Sequence, residues 1–312
     1  MIAYIFYVQD NYLPFNLLFD SIAHILRKHF DLVVIHVKHE NDIDYADNNI
    51  IITLLSELTI NMLERQRSNN NHMILVSTEL IYSNNYYLEN RIELYSRLKL
   101  NINLHILEFN KDNYYYYKNN YSHISTIMLP LLYNEHLENY YQDNLNYPYE
   151  IPRKDKTSYG IDVLFIGSIN YRRKKILDEI NQKYKLGIVT IEHGLTNKQL
   201  INIINDSRIV INLYFYEAFY FDYYRNSFLI ANKVFTVCET PKNIDEDFEL
   251  NMINYKNYLV TADYDNLVST IDYYMNQDIS VLKDKAESVY NWYVKHNYED
   301  KLVDYMKKKL IF

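Results

Sequence analysis

The chain has 312 residues, 48% hydrophobic and 23% charged, with a formal net charge of −8. That length suits one large domain or two of ordinary size around packed cores, and the acidic balance argues against a nucleic-acid surface. A single cysteine, Cys238, rules out a disulfide framework within the chain and points to a reducing compartment, so a cytoplasmic location is expected.

Ile2 to Val8 reads as a first strand, with the polar loop Gln9-Asp10-Asn11 behind it. Met1 to Val8 is too short and lacks the basic start of a signal sequence. Pro14 sits near the start of a helix predicted to about His29. Asp31 to Val37 and Asn49 to Leu55 are predicted strands. A helix follows from about Glu57 to Arg67, then the turn Ser68-Asn69-Asn70-Asn71. Met73 to Val76 is a strand ending in Ser77-Thr78-Glu79. Leu88 to Leu98 reads as a helix, Ile102 to Glu108 as a strand, and Ser125 to Leu132 as a strand broken by Pro130. Between these, Tyr114-Tyr115-Tyr116-Tyr117 looks like a base-stacking platform without the basic groove that should accompany it. With 35 tyrosines in the chain, AT-rich coding is the simpler explanation. Tyr140 to Ser158 carries Pro148 and Pro152 and no hydrophobic periodicity, which marks it as the linker. The expected domains are 1–145 and 146–312.

The second half is punctuated more clearly. Asp162-Val163-Leu164-Phe165-Ile166 is a short apolar strand followed at once by Gly167-Ser168. Arg172-Arg173-Lys174-Lys175 opens a helix to about Tyr184. Gly187 to Ile191 is a strand ended by Glu192-His193-Gly194, and Leu195 to Ser207 has helical spacing. Ile209 to Phe215 is the third strand. Tyr216-Glu217 ends it, and a helix to about Ala231 carries Asp222 and Arg225. Val234 to Glu239 is the fourth, with a carboxylate at its C-terminal end. An acidic loop spans Pro241 to Asn257, Tyr258-Leu259-Val260 is a short strand, and helices follow at about Asp265–Asn276, Ser280–His296 and Tyr298–Lys309. No stretch approaches the ~20 apolar residues of a membrane span.

Short apolar strands alternating with helices indicate parallel sheets covered on both faces, an α/β chain of two Rossmann-like, doubly wound domains. Gly167, Ser168, Glu217 and Glu239 cluster just past strand ends, where open α/β sheets bind ligands. All four glycines lie between 160 and 194. Gly167, with Ser168 and the arginines behind it, reads as a turn that lets backbone approach a ligand; Gly160 and Gly187 read as ordinary loop glycines.

Together these residues resemble the donor-binding half of GT-B glycosyltransferases of the group 1-like kind. The resemblance is carried by Asp162 to Ser168, the pair Arg172-Arg173, Asn212-Leu213-Tyr214-Phe215-Tyr216-Glu217, Asp222, Arg225 and Val237-Cys238-Glu239. It implies two domains facing a cleft, with the C-terminal helices packing back towards the first. It also implies a nucleotide-sugar donor held mainly by the second domain, and a glycan or small-molecule acceptor. Carried over, Gly167 and Ser168 would bring backbone N–H groups to the diphosphate. Arg172 and Arg173 would neutralise phosphate and the leaving nucleoside diphosphate. Tyr216, Glu217 and Glu239 would line the donor site, the carboxylates accepting from hydroxyls. Arg225 would pair with a carboxylate or meet phosphate. An inverting reaction needs a base from the first domain, for which Asp10 is the first candidate and Glu79 the second. The sequence departs from the family at Tyr214, Asp222 and Ala218-Phe219-Tyr220, and the first domain has no glycine.

Rival chemistries find less support. Asp42-Ile43-Asp44 and Asp245-Glu246-Asp247 match an Asp-x-Asp metal motif but read as solvated loop charge. Gly167 stands alone, without the spacing of a nicotinamide fold, and no His/Cys set has zinc spacing. No metal and no cofactor are expected, only the nucleotide sugar as co-substrate; a homodimer is left open. The alternative reading is a decayed GT-B protein that binds sugar or nucleotide, or serves in a complex.

Overall fold

In the computed structural model, the residues described are 2–6, 13–45, 48–55, 71–77, 103–109, 111–122, 124–128, 157–190, 195, 197–216, 223–241, 259–295 and 299–309. The chain divides into two compact units. The first comprises Met1–Asp10, Leu18–Leu132 and Tyr298–Phe312, the second Asn11–Leu17 and Tyr133–Asn297.

The first unit is built on a parallel sheet of β1 (Ile2–Phe6), β2 (Val33–Val37), β3 (Ile50–Leu54), β4 (His72–Ser77), β5 (Asn103–Glu108) and β6 (Ser125–Met128), in the order β2-β1-β3-β4-β5-β6. β1 sits between β2 and β3, with Ala3 opposite Val34 on one side and Ile50 on the other. Side chains alternate along each strand, so Tyr4, Phe6, Ile51, Met73, Leu75 and Ile106 form one core. Ala3, Ile5, Ile50, Ile52, Ile74 and Val76 are also buried, on the opposite face. That two-sided burial explains runs such as Ile50-Ile51-Ile52, which do not alternate in hydrophobicity.

Helix α1 (Leu13–Phe30) ends at Asp31, whose φ of 50° is the left-handed turn that commonly stops a helix. β2 therefore begins at Val33 rather than at Asp31. Helix α2 (Lys111–Asn120) was not foreseen from the sequence. Its residues look polar, and the tyrosine run supplies the packing face: Tyr117 is fully buried in the core, with Tyr116 and Tyr121 packed against it. The run is thus helix and core, not a stacking platform.

The second unit is a parallel sheet of β7 (Ile161–Ile166), β8 (Leu186–Val189), β9 (Ser207–Asn212), β10 (Thr236–Glu239) and β11 (Val260–Ala262), ordered β11-β10-β9-β7-β8. The strand order reverses between β7 and β9, and in such sheets the crevice at the carboxyl ends of that strand pair is the binding place. Val163, Phe165, Ile209, Ile211 and Val237 face a core shared with Ile176, Leu177 and Ile180 of helix α3 (Tyr171–Asn181). The connections include α4 (Asn197–Asn205) and α5 (Tyr223–Ala231), and the sheet is followed by α6 (Leu267–Met275) and α7 (Ile279–Lys295). Leu267, Ile271 and Tyr274 of α6 close the core above β10 and β11.

The last helix, α8 (Glu299–Lys309), belongs to the first unit. Its buried Glu299 accepts from His29 at 2.5 Å and pairs with Lys28 at 3.1 Å, both near the end of α1. No helix among the described residues is long and apolar enough to cross a membrane.

Candidate functional site

The site residues named from the sequence that lie among the described ones gather at the carboxyl edge of the second sheet, around the β7–β9 reversal. Gly167 follows β7 directly. Its φ is +146°, a conformation that side-chain-bearing residues rarely adopt, and its N–H donates to the Val189 carbonyl at 2.8 Å. A Cβ there would lie 3.4 Å from Arg173 Nη1 and 3.7 Å from Arg225 Nη1. The chain can therefore turn sharply between two guanidinium groups only with glycine at this position.

Ser168 and Ile169 are exposed on the far side of that turn. Asn170 then caps α3: its Oδ1 accepts from the Arg173 N–H at 2.9 Å while its Nδ2 donates to the Phe215 carbonyl at 2.6 Å. One asparagine thus satisfies a helix-end donor and ties the helix start to the segment after β9. α3 begins at Tyr171, one residue before the basic cluster.

The arginine pair splits into two roles. Arg173 is buried; it donates to the Ser168 carbonyl at 2.7 Å and the Leu213 carbonyl at 2.6 Å, between the rings of Phe165 and Phe215. It braces the Gly167 turn against the end of β9. Arg172 lies nearer the surface. Its guanidinium makes a two-pronged pair with the Glu239 carboxylate and donates to the Tyr214 carbonyl at 3.0 Å. Glu239 in turn accepts from the Tyr214 N–H at 3.0 Å. The side chains of this pair are 16% and 8% exposed, so it is largely removed from water.

These bonds explain why β9 stops at Asn212 instead of continuing to Phe215. Beyond Asn212, the Leu213, Tyr214 and Phe215 carbonyls accept from Arg173, Arg172 and Asn170, and the Tyr214 N–H goes to Glu239. Side chains satisfy the backbone here in place of a neighbouring strand.

Arg225, on α5, donates Nη1 to the Ile166 carbonyl at 3.0 Å, beside the Gly167 turn. Asn226 next to it accepts from the buried Cys238 thiol, Sγ to Oδ1 3.5 Å. Tyr216 is 45% exposed and sets its ring edge-on to Phe215 at 4.9 Å. Tyr216, Ile169 and the 90% exposed Tyr171 place apolar surface at the same edge. Asp10, Glu79, Glu217 and Asp222 lie outside the described residues, as do His193 and Asp245-Glu246-Asp247.

Two residues that sequence reasoning missed belong to this arrangement. Asn170 carried a signal, an asparagine three residues before a helical N–H it can accept from. Tyr264 lies just past β11 at the same sheet edge; its ring lies 4.0 Å from Arg172 Cζ and its hydroxyl donates to the Arg172 carbonyl at 2.6 Å. Burial raises the Tyr264 phenol above its ordinary value, and the Arg172 charge only partly opposes that, so the hydroxyl stays a donor. The rule that ligands and their supports lie past strand ends would have found it.

Chemically, the edge offers a sharp glycine turn, a helix start and three guanidinium groups, two of them committed to carbonyls and one held by a carboxylate. That combination suits a phosphate-bearing ligand.

No protein-family model matches the sequence, and no curated protein matches it. Among solved structures, WaaG, a glycosyltransferase involved in lipopolysaccharide biosynthesis, aligns over 97% of this chain and 99% of its own, with a TM-score of 0.52 and 8% identity. An α1,3-fucosyltransferase aligns over 99% of this chain and 89% of its own, with a TM-score of 0.51 and 9% identity. At such identities the likeness is one of fold, and it spans nearly the whole chain. The fold of this chain is that of the GT-B glycosyltransferases.

Proposed function

We propose that the protein is a glycosyltransferase that moves a sugar from a nucleotide-sugar donor to a glycan or other acceptor without a metal ion. The observation that carries this reading is the edge of the second sheet at its order reversal. There the Gly167 turn, the start of α3 and the Arg172 guanidinium converge.

In this reading the donor diphosphate lies over Gly167 and Ser168, close to Arg172 and Arg225. Negative charge grows on the leaving nucleoside diphosphate as the glycosidic bond breaks, and a fixed guanidinium stabilises that charge. Arg173 acts as the brace of the turn. Tyr216 offers an exposed ring to the donor, and Glu217 a carboxylate for sugar hydroxyls. Glu239 is assigned first to Arg172, whose guanidinium it holds. Asp10 serves as base if the reaction inverts.

The same Arg172–Glu239 pair favours a second reading, a decayed transferase that binds but does not turn over, because two residues expected to meet the donor hold one another. A thermal-shift screen with UDP, GDP, dTDP, CDP and their sugars, with and without Mg²⁺ or EDTA, tests the proposal. One nucleotide at ~100 times its dissociation constant should add about 2.7 kcal/mol, unaffected by EDTA. No shift with any of them removes the donor reading. A shift without hydrolysis or transfer selects the binding protein.

A further inference from the structure

Arg172 is anchored at both ends by Tyr264, a residue outside every motif considered above. The hydroxyl holds the Arg172 carbonyl and the ring lies against the guanidinium. The guanidinium contacts have a direction. Glu239 takes Nη1 and Nη2 together, along the end of the group. The Tyr214 carbonyl takes the other Nη1 hydrogen. The remaining edge, Nε–H with the second Nη2–H, has no partner among the described residues, and the side chain keeps 16% exposure. On a planar guanidinium those two N–H bonds point the same way, at a spacing that matches two oxygens of one phosphate.

We propose that Tyr264 and Glu239 are positioning residues that hold Arg172 with its Nε–Nη2 edge presented to an incoming pair of phosphate oxygens. The donor reading supplies only the identity of the phosphate, as part of a nucleoside diphosphate. The positioning itself is a property of the protein without ligand. An unheld arginine would lose side-chain freedom when the phosphate arrives; Tyr264 and Glu239 remove that freedom beforehand.

Arginine side-chain ¹⁵N NMR on the full chain tests this, with the Arg172 signals assigned by their loss in Arg172→Lys. The wild type is expected to show slowly exchanging Arg172 Nη signals. Tyr264→Leu and Glu239→Gln should average them while other arginine signals stay, and Tyr264→Phe, which keeps the ring, should fall between. A folded Tyr264→Leu protein with wild-type Arg172 signals overturns the proposal whatever it binds. If Tyr264→Leu does not fold, Tyr264→Phe decides: wild-type exchange there overturns it equally. A second arm titrates inorganic pyrophosphate and UDP. Binding about tenfold weaker in Tyr264→Leu is expected from the lost ring contact, and equal affinity sinks the role towards phosphate. A wild type that binds pyrophosphate but no nucleoside diphosphate, with the NMR pattern as expected, sinks the donor reading and leaves the positioning standing, whereas one that binds neither overturns the role towards phosphate as well.

Discussion

Glu108 and Glu239 occupy the same place on two sheets. Each is the last residue of a parallel strand and each is buried. Glu108 accepts from the next residue's N–H, Phe109, at 2.8 Å and from Asn113 Nδ2 at 3.1 Å, so its contacts shape the start of α2. Glu239 reaches Tyr214 and Arg172, which are 25 and 67 residues away. The first carboxylate finishes a local turn. The second joins the ends of β9 and β10 to the start of α3. A buried carboxylate can thus finish a local turn, as Glu108 does, or tie distant segments together, as Glu239 and Glu299 do.

The largest expected effect breaks the long-range set. Arg172→Ala leaves the Glu239 carboxylate buried and uncompensated, and should cost about 3–5 kcal/mol in denaturant melts of the second unit. Glu239→Ala should cost a similar amount, and the double variant clearly less than the sum. Additive singles would mean that the two side chains do not depend on each other. For that reason Arg172→Lys is the better probe of activity than the alanine variant. The local counterpart comes next: Glu108→Ala removes the carboxylate that accepts from the Phe109 N–H and Asn113 Nδ2, and should cost about 1–3 kcal/mol in the first unit. A loss as large as that at Arg172 would erase the contrast. Asn170→Ala removes a helix cap and the bond to Phe215, and should cost about 1 kcal/mol in the second unit alone.

Effects of pH are expected on the first unit, in opposite directions at two carboxyls. At Glu299, burial would raise the carboxyl, but the hydrogen bonds from His29 and Lys28, with their charges, hold it below the ordinary range. Its contribution is present above the ordinary glutamate value and is lost as pH falls through the lowered one. Asp20 runs the other way. Burial pushes it up to about 6, against a smaller opposing effect of Arg27. Its contribution is present below the ordinary aspartate value and is lost as pH rises through about 6. Melting against pH should therefore show Asp20→Asn more stable than wild type at neutral pH, with the difference gone below about pH 4. Glu299→Gln should flatten the acid limb. A variant that keeps the wild-type pH profile removes its group from this account.

Much of the fold was legible in the sequence because its signals are local. Apolar runs such as Val163 to Ile166 and the Gly167-Ser168 turn announce themselves within a few residues. Helix α2 was not legible, because its buried face is made of tyrosines inside a polar run, which hydrophobic periodicity does not register. The site was half legible. Position past the strand ends pointed to Gly167 and Glu239, and the basic run that opens the next helix pointed to Arg172. Nothing local shows that Arg172 and Glu239 grip one another, that Arg173 faces inward, or that Tyr264 lies against Arg172, since each depends on how the strands are ordered in the sheet.

The first unit takes its last helix from residues that follow the whole of the second, since Tyr298–Phe312 belongs with Met1–Asp10 and Leu18–Leu132. On the ribosome, this means that the early sheet waits for its final helix while residues 133–297 are translated. Until Glu299 emerges, the Lys28 and His29 end of α1 lacks the carboxylate that receives it. The second unit needs nothing beyond Asn297, so a nascent chain arrested just before Glu299 would carry a finished late half on an unfinished early one.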